Sequence, residues 1–380
     1  MQNKRIYLSL PKQSGFEEQY IKNAFETNWI TSGGPNVEEF EQKLEKYFEE
    51  ESFVTALNSG TSAIHLALVL LGVKAGDEVI CQSMTFSASA NPILYQGAVP
   101  VFVDSEIDTW NICPQFLELA IQDRIKKGKK PKAVITVHLY GNPYKVEEVH
   151  VVANKYDIPV IEDSAEALGS SFKGKKCGTF GSLGILSFNG NKIITTSSGG
   201  ALISNSEVDK NKALFFATQA KDKAVHYQHS EIGYNYRMSN ICAGIGLGQM
   251  EILEQNIQER REINTFYKEL FKDISQVEVF ENTDTNFFSN CWLTTILVDA
   301  QNKKGINREN LRMAFEDANI ECRPLWKPMH LQPVFEKYPY YGENIAEGLF
   351  DKGLCLPSGN LSFEDKNRIT KVINNFIGIK

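Results

Sequence analysis

Gly184-Ile185-Leu186-Ser187-Phe188-Asn189-Gly190-Asn191-Lys192 is a short apolar run that breaks into a glycine- and asparagine-rich loop ending on an amine. That is the pattern of a buried strand and the turn beyond it. Upstream, Pro159-Val160-Ile161-Glu162 is a second such run and opens into Asp163-Ser164-Ala165-Glu166. Downstream, Thr195-Thr196-Ser197-Ser198-Gly199-Gly200 leads into a third, Ala201-Leu202-Ile203. An acid and an amine therefore stand on neighbouring strand ends.

Singly, an Asp at a strand end is most often a turn former or helix cap, and a lysine is most often solvated. Jointly they suit pyridoxal phosphate. That cofactor needs a lysine to hold its aldehyde as an imine, and a buried carboxylate to keep the pyridine nitrogen protonated so that the ring accepts electrons. Lys192 and Asp163 fill those two places.

Working outward, strand-like and helical patterns alternate from about Asn58 to Ser204, which predicts an α/β domain with a mainly parallel sheet between helices. The strand candidates are Glu78–Cys81, Val99–Val103, Ala133–Val137, Pro159–Glu162, Ile185–Phe188 and Gly200–Ile203. In such sheets ligands collect beyond the carboxyl ends of the strands, where Asp163 and Lys192 lie. From Asn240 to about Phe271 apolar residues recur at helical spacing, giving one long helix or two abutting ones. The remainder mixes strands such as Trp292–Val298 with helices, one of them opened by Ser362 and Asp365 as a variant capping box. The expected division is a large cofactor-binding domain over residues 1–250, and a bridging helix with a smaller α+β domain over 251–380.

Asn58-Ser59-Gly60-Thr61-Ser62 precedes an apolar helix closed by Gly72. A helix mouth offers free N–H groups and partial positive charge to a phosphate, although plain capping is the commoner use of Ser-Gly-Thr. Gly60 would let the backbone approach the phosphate, Thr61 would add a donor, and Ser187 could donate from its strand end. Phe86 could lay its ring over the pyridine, where an offset stack is worth about 0.5–1.5 kcal/mol.

The chain has 380 residues, 42% of them hydrophobic and 23% charged, with a formal charge of −7. Those values suit two soluble domains and argue against a sequence-blind grip on nucleic acid or on an anionic membrane. Seven scattered cysteines read as reduced thiols. His226 and His229 lack partners for a metal set, so no metal is expected. No apolar run reaches membrane-spanning length and Met1–Ile6 has no hydrophobic targeting core, so a cytoplasmic location is expected.

The chain resembles the DegT/DnrJ/EryC1/StrS family of pyridoxal phosphate-dependent nucleotide-sugar aminotransferases, of fold type I (aspartate aminotransferase-like). The resemblance is carried in order by Asn28-Trp29-Ile30-Thr31-Ser32-Gly33-Gly34-Pro35, Ser59–Ala63, the Asp163–Lys192 segment, Gly233-Tyr234-Asn235-Tyr236-Arg237-Met238-Ser239, Arg323–His330 and Leu356-Pro357-Ser358. It implies that Lys192 forms the covalent link, Asp163 pairs with the pyridine nitrogen, and Glu166 hydrogen-bonds the ring hydroxyl. It implies that Gly60, Thr61 and Ser187 hold the phosphate under a stacked Phe86, and that Asn235 reaches the phosphate of a neighbouring subunit in a homodimer with shared sites. Thr31, Arg237, Lys327 and His330 become substrate candidates.

Many members carry glutamine where this chain has Glu166, so the ring hydroxyl faces an acid here. Asn189-Gly190-Asn191-Lys192, Gln82–Phe86 and His226–Gly233 are similar to the subgroup that aminates C4 of UDP-2-acetamido-2,6-dideoxy-4-keto-hexose, on the route to bacillosamine. The implied activity is transfer of an amino group from L-glutamate to that UDP-linked keto sugar. The rival readings are amination at C3 or on a dTDP or GDP carrier, and a non-catalytic regulator of the same fold. A nicotinamide dehydrogenase is remote, because no Gly-x-Gly-x-x-Gly turn follows a first strand.

Overall fold

The apolar runs join edge to edge. Strands β1 (Phe53–Leu57), β2 (Glu78–Gln82), β3 (Val99–Val103), β4 (Ala133–Val137), β5 (Val160–Asp163), β6 (Leu183–Ser187) and β7 (Gly200–Ser204) lie in the order β1-β7-β6-β5-β4-β2-β3, with Tyr340–Tyr341 added beside β3. The computed structural model describes residues 4–48, 52–299 and 306–378. β6, β5, β4, β2, β3 and Tyr340–Tyr341 run parallel, whereas β7 is antiparallel to both β6 and β1. Every residue of β2 and β4 is buried, as strands covered on both faces require.

Two features depart from the sequence reading. Phe53–Leu57 forms an edge strand, although five apolar-leaning residues directly before a turn carry no period of their own. Gly200–Ser204 returns antiparallel to β6, and the residues between them, 188–199, form an irregular loop with no crossover helix. That loop carries Lys192.

The helix Gly60–Leu70 packs its Ile64, Leu66, Ala67 and Leu68 onto the sheet, and Ser59 caps it by accepting from the Ser62 N–H. Gly72, at φ +68°, ends it, the left-handed position that glycine takes without a Cβ clash. The periodic run after Asn240 is two helices, Asn240–Met250 and Leu253–Phe271, broken at Glu251-Ile252. The second supports a smaller sheet of Val277–Val279, Thr294–Val298, Gly353–Leu356 and Arg323–Pro324, over a core that includes Tyr267, Phe315 and Ile369. The capping box at Ser362 and Asp365 is formed.

Two segments cross the sequential division at residue 250. Ile6 bridges Ile320 and lies in the core of the smaller sheet, while Tyr340–Tyr341 pairs with β3 of the larger one. Residues 7–10 consequently run from one lobe toward the other along the cavity described below. Among the described residues no helix is long and apolar enough to cross a membrane.

The start of β7 touches the start of the helix Gly60–Leu70 so closely that a Cβ on Gly200 would fall on the Gly60 amide nitrogen and the Ser59 carbonyl carbon. Backbone cannot yield as a side-chain tip can. Gly200→Ala is expected to lower stability by about 1–3 kcal/mol in urea denaturation of the cofactor-free chain. Gly190→Ala, with no atom within 4 Å of the new methyl, should stay within about 0.5 kcal/mol of the parent. Equal midpoints for the two variants would contradict this packing.

Candidate active site

Asp163 is the last residue of β5 and stands opposite Ile185 of β6. Its side chain is buried; Oδ2 accepts from Ser89 Oγ at 2.6 Å and Oδ1 from the Ala165 N–H at 3.2 Å. Burial pushes its carboxyl above the usual range, against the pull of these two bonds and of the Lys192 charge. Three residues on, Glu166 is also buried, and its Oε2 accepts from the Tyr140 N–H at 2.7 Å. Burial pushes Glu166 up to about 7, against the pull of the Lys192 charge and the Tyr140 N–H.

That lysine is Lys192. Its Nζ lies 3.5 Å from Glu166 Oε1 and 4.2 Å from the centroid of the Trp292 ring. Trp292 is fixed in turn, for its Nε1–H donates to the Asn191 carbonyl at 2.7 Å, and Ser9 Oγ donates to the same oxygen at 2.7 Å. The buried Arg260 donates to Ser9 Oγ at 2.9 Å and to the Trp292 carbonyl at 3.1 Å. The lysine loop is thereby clamped by the N-terminal segment, the long helix and the smaller lobe together.

These groups line a cavity of about 480 Å³ that also takes in Gly60, Thr61, Phe86 and Ser187. At its inner end lies the N-terminus of the helix Gly60–Leu70, with Ser187 beside it: a Cβ on Gly60 would meet Ser187 Cβ at 3.1 Å and Oγ at 3.4 Å. Glycines at 60 and 200 leave this mouth as bare backbone, a cradle that added methyl groups would fill. Phe86 stands on the wall with its ring more than half exposed, tilted 51° to Trp326 at 5.3 Å. The donor set fits pyridoxal phosphate, with N–H groups and a hydroxyl for the phosphate, a buried carboxylate for the ring nitrogen and an amine for the aldehyde.

The structure thus brings together every cofactor candidate except Asn235. That residue lies on an outer segment, where its carbonyl accepts from Asn58 Nδ2 at 3.2 Å, and it does not line its own chain's cavity. None of the four substrate candidates lines the cavity either. Arg237 is spent on Glu41, which it grips through both terminal nitrogens, and on the Ala56 carbonyl, so it ties the helix Pro35–Phe48 to β1. His330 has both ring nitrogens engaged, by Ser83 and Glu347, and its ring stacks 3.7 Å from that of Tyr340. Thr31 is exposed, its carbonyl bound to the Asn240 N–H, and Lys327 points into solvent.

Sequence reasoning missed Ser89, Tyr140, Trp292, Trp326 and Arg323 around the cavity. Ser89 follows Phe86 in a run of small residues, and Trp292 opens the run read as a strand. Neither carries a spacing that would have singled it out.

His138, Glu162 and Cys177 present ligand-type atoms within 4.8 Å of one another. Glu162, however, already accepts from His138 and from the N–H groups of Gly178, Phe180 and Gly181. The cluster pins the segment that leads into β6. A wider groove of about 560 Å³ lies elsewhere, lined by Asp108, Lys145, Glu147 and Lys173. Its two lysines are paired with those acids, Lys145 with Asp108 and Lys173 with Glu147.

Residues 11–375 match the model of the DegT/DnrJ/EryC1/StrS aminotransferase family. EpsN of Bacillus subtilis (strain 168), provisionally named a pyridoxal phosphate-dependent aminotransferase, is 49% identical over 376 residues, covering 98% of this chain and 95% of that one. The GDP-perosamine synthase of Escherichia coli O157:H7 is 39% identical, covering 99% and 100%. The UDP-4-amino-4,6-dideoxy-N-acetyl-beta-L-altrosamine transaminase of Campylobacter jejuni serotype O:23/36 is 38% identical over 245 residues, 64% of each chain. A crystal structure of a DegT DnrJ EryC1 StrS aminotransferase from Brucella abortus superposes with a TM-score of 0.88 at 30% identity, covering 96% of both chains. With cavity, fold and relatives in agreement, the chain belongs to the DegT/DnrJ/EryC1/StrS aminotransferase family and is a pyridoxal phosphate-dependent sugar aminotransferase of fold type I.

Proposed function

We propose that the enzyme moves an amino group from L-glutamate to C4 of a UDP-linked 2-acetamido-2,6-dideoxy-4-keto-hexose, giving a UDP-4-amino-4,6-dideoxy sugar and 2-oxoglutarate. The observation that carries the transfer chemistry is the Lys192 amine, held in one cavity with two buried carboxylates and a helix mouth. The C4 position and the UDP carrier are supported by the Campylobacter relative, whose name specifies a UDP-4-amino-4,6-dideoxy sugar. The full-length likeness to a GDP-perosamine synthase favours a second reading, in which the carrier is GDP.

When bound, pyridoxal phosphate supplies a ring that takes up the electron pair left as the donor's Cα–H bond breaks. The remaining work falls to the chain. The Gly60 and Thr61 N–H groups and Ser187 Oγ would hold the phosphate, and Phe86 would cover the ring face. Asp163 keeps the proton on the ring nitrogen, and Ser89 and the Ala165 N–H hold its carboxylate in place. Lys192 Nζ takes the proton from the donor's Cα and in the second half-reaction delivers one to C4 of the sugar. One base serves both directions. Asn235 is assigned to the phosphate of a second copy of the chain, in a homodimer with shared sites, since it does not line its own cavity.

Incubation with L-glutamate and a panel of UDP-, GDP- and dTDP-linked 4-keto-6-deoxy sugars, read by mass spectrometry of the ketone-to-amine change, should give the fastest conversion with the UDP-linked N-acetyl sugar. Preference for the GDP-linked sugar would establish the second reading, and no conversion of any would contradict both. Lys192→Ala should abolish turnover while retaining non-covalent cofactor; near-parental turnover would remove Lys192 from its role. Asp163→Ala should lower kcat by about 10²–10³-fold, the scale of one lost preorganised electrostatic contact, and a change below about threefold would argue against its pairing with the ring nitrogen.

A further inference from the structure

We propose that Glu166 is the proton acceptor for Lys192, taking the ammonium proton so that a free amine is presented to the cofactor's aldehyde. The inference rests on Lys192 being the linking residue. Within the cavity Glu166 Oε1 is the carboxylate oxygen that hydrogen-bonds Lys192 Nζ, at 3.5 Å, while Oε2 is held by the Tyr140 N–H. One oxygen is fixed by backbone, and the other faces the amine.

The relative placement of acid, amine and aromatic ring is set by one buried side chain. Asn290 donates from Nδ2 to the Glu166 carbonyl at 2.8 Å and to the Leu168 carbonyl at 2.9 Å, while its Oδ1 accepts from the Trp292 N–H at 2.8 Å. It therefore brackets the turn that carries Glu166 to the tryptophan whose ring lies against Lys192 Nζ. Gly141, at φ +90°, closes over this bracket, and a Cβ there would fall on Asn290 Oδ1. A ring face attracts a cation, so Trp292 keeps the amine beside the acid.

The step is self-contained. An N–H bond breaks at Nζ and an O–H bond forms at Oε1, so that an ammonium and a carboxylate become an amine and a carboxylic acid with no outside reagent. That exchange replaces an ion pair, one partner of it fully buried, by two neutral groups, which relieves the desolvation of the buried carboxylate. The groups facing Glu166 are Lys192 from the loop after β6, Asp163 from β5, Tyr140 from the turn after β4, and the Cys355 thiol from the smaller lobe. Their balance, dominated by burial, leaves the carboxyl near the pH at which an acid both accepts and returns a proton readily. Glutamine would make the hydrogen bonds of Glu166 without holding a proton.

The test is covalent loading of the cofactor-free chain, which involves no sugar or amino donor and so stands apart from the substrate assignment. Apoenzyme is mixed with pyridoxal phosphate between pH 5.5 and 8.5, and link formation is followed by absorbance and confirmed by borohydride trapping. Only the ionised Glu166 can take a proton, so the parental rate should rise about tenfold per pH unit below about 7 and level off above it. Glu166→Gln should lose the break near 7, its rate climbing through the whole range as solvent takes the ammonium proton, and should load at least about tenfold more slowly at pH 7.5, whereas Glu166→Asp should keep a break. Pyridoxamine phosphate, which has no aldehyde, should bind Glu166→Gln within about threefold of the parent, showing an intact site. A Glu166→Gln variant with the parental midpoint and a rate within about twofold would overturn the proposal. So would one that loses pyridoxamine phosphate binding while keeping the parental pH dependence, since Glu166 would then act through shape alone. Covalent loading of Lys192→Ala would show instead that the linking residue is elsewhere.

Discussion

Two carboxylates, Asp163 and Glu166, are buried within three residues of each other, with a single lysine amine between the turn that carries them and the smaller lobe. Burying an acid is costly unless its charge is matched or removed. At Asp163 the chain supplies two hydrogen bonds, and the side chain lines the cavity where the proposed function pairs it with a protonated ring nitrogen. At Glu166 it supplies one backbone bond and a lysine 3.5 Å away. The rest of the architecture holds these groups in register.

The sheet performs much of that task. Parallel strands β5 and β6 end side by side, so their last residues and the loops beyond them open onto one edge. β7 then turns back antiparallel and brings Gly199-Gly200 against the start of the helix Gly60–Leu70, which makes the anion cradle and the lysine loop two sides of one structure. The smaller lobe closes the cavity with Trp292, Trp326 and Arg323, and the N-terminal segment crosses between lobes to meet the lysine loop through Ser9.

Most of the large domain was legible in the sequence, because near-continuous apolar strands separated by helices leave a strong pattern, and the residues named at the strand ends do meet in one cavity. Asp163, Lys192 and the Ser59-Gly60-Thr61 mouth could be named from adjacent residues alone. What escaped depends on contacts between distant segments. The antiparallel turn of β7 follows from the path of one loop, which periodicity does not report. Trp292, Ser89 and Asn290 matter through partners 101, 74 and 124 positions away respectively, where no motif spacing applies. That Arg237 and His330 lie outside their own chain's cavity was hidden for the same reason. Their partners Glu41 and Glu347 are ordinary-looking acids in the sequence, and only folding shows that each basic side chain is already engaged.

The claim on which this account turns is that Lys192 alone joins the cofactor. Holoenzyme reduced with borohydride and digested should yield, by peptide mass spectrometry, a single phosphopyridoxyl adduct on the peptide containing Lys192 at close to one per chain. An adduct on another lysine, or a reduced protein that releases all its cofactor on unfolding, would contradict it.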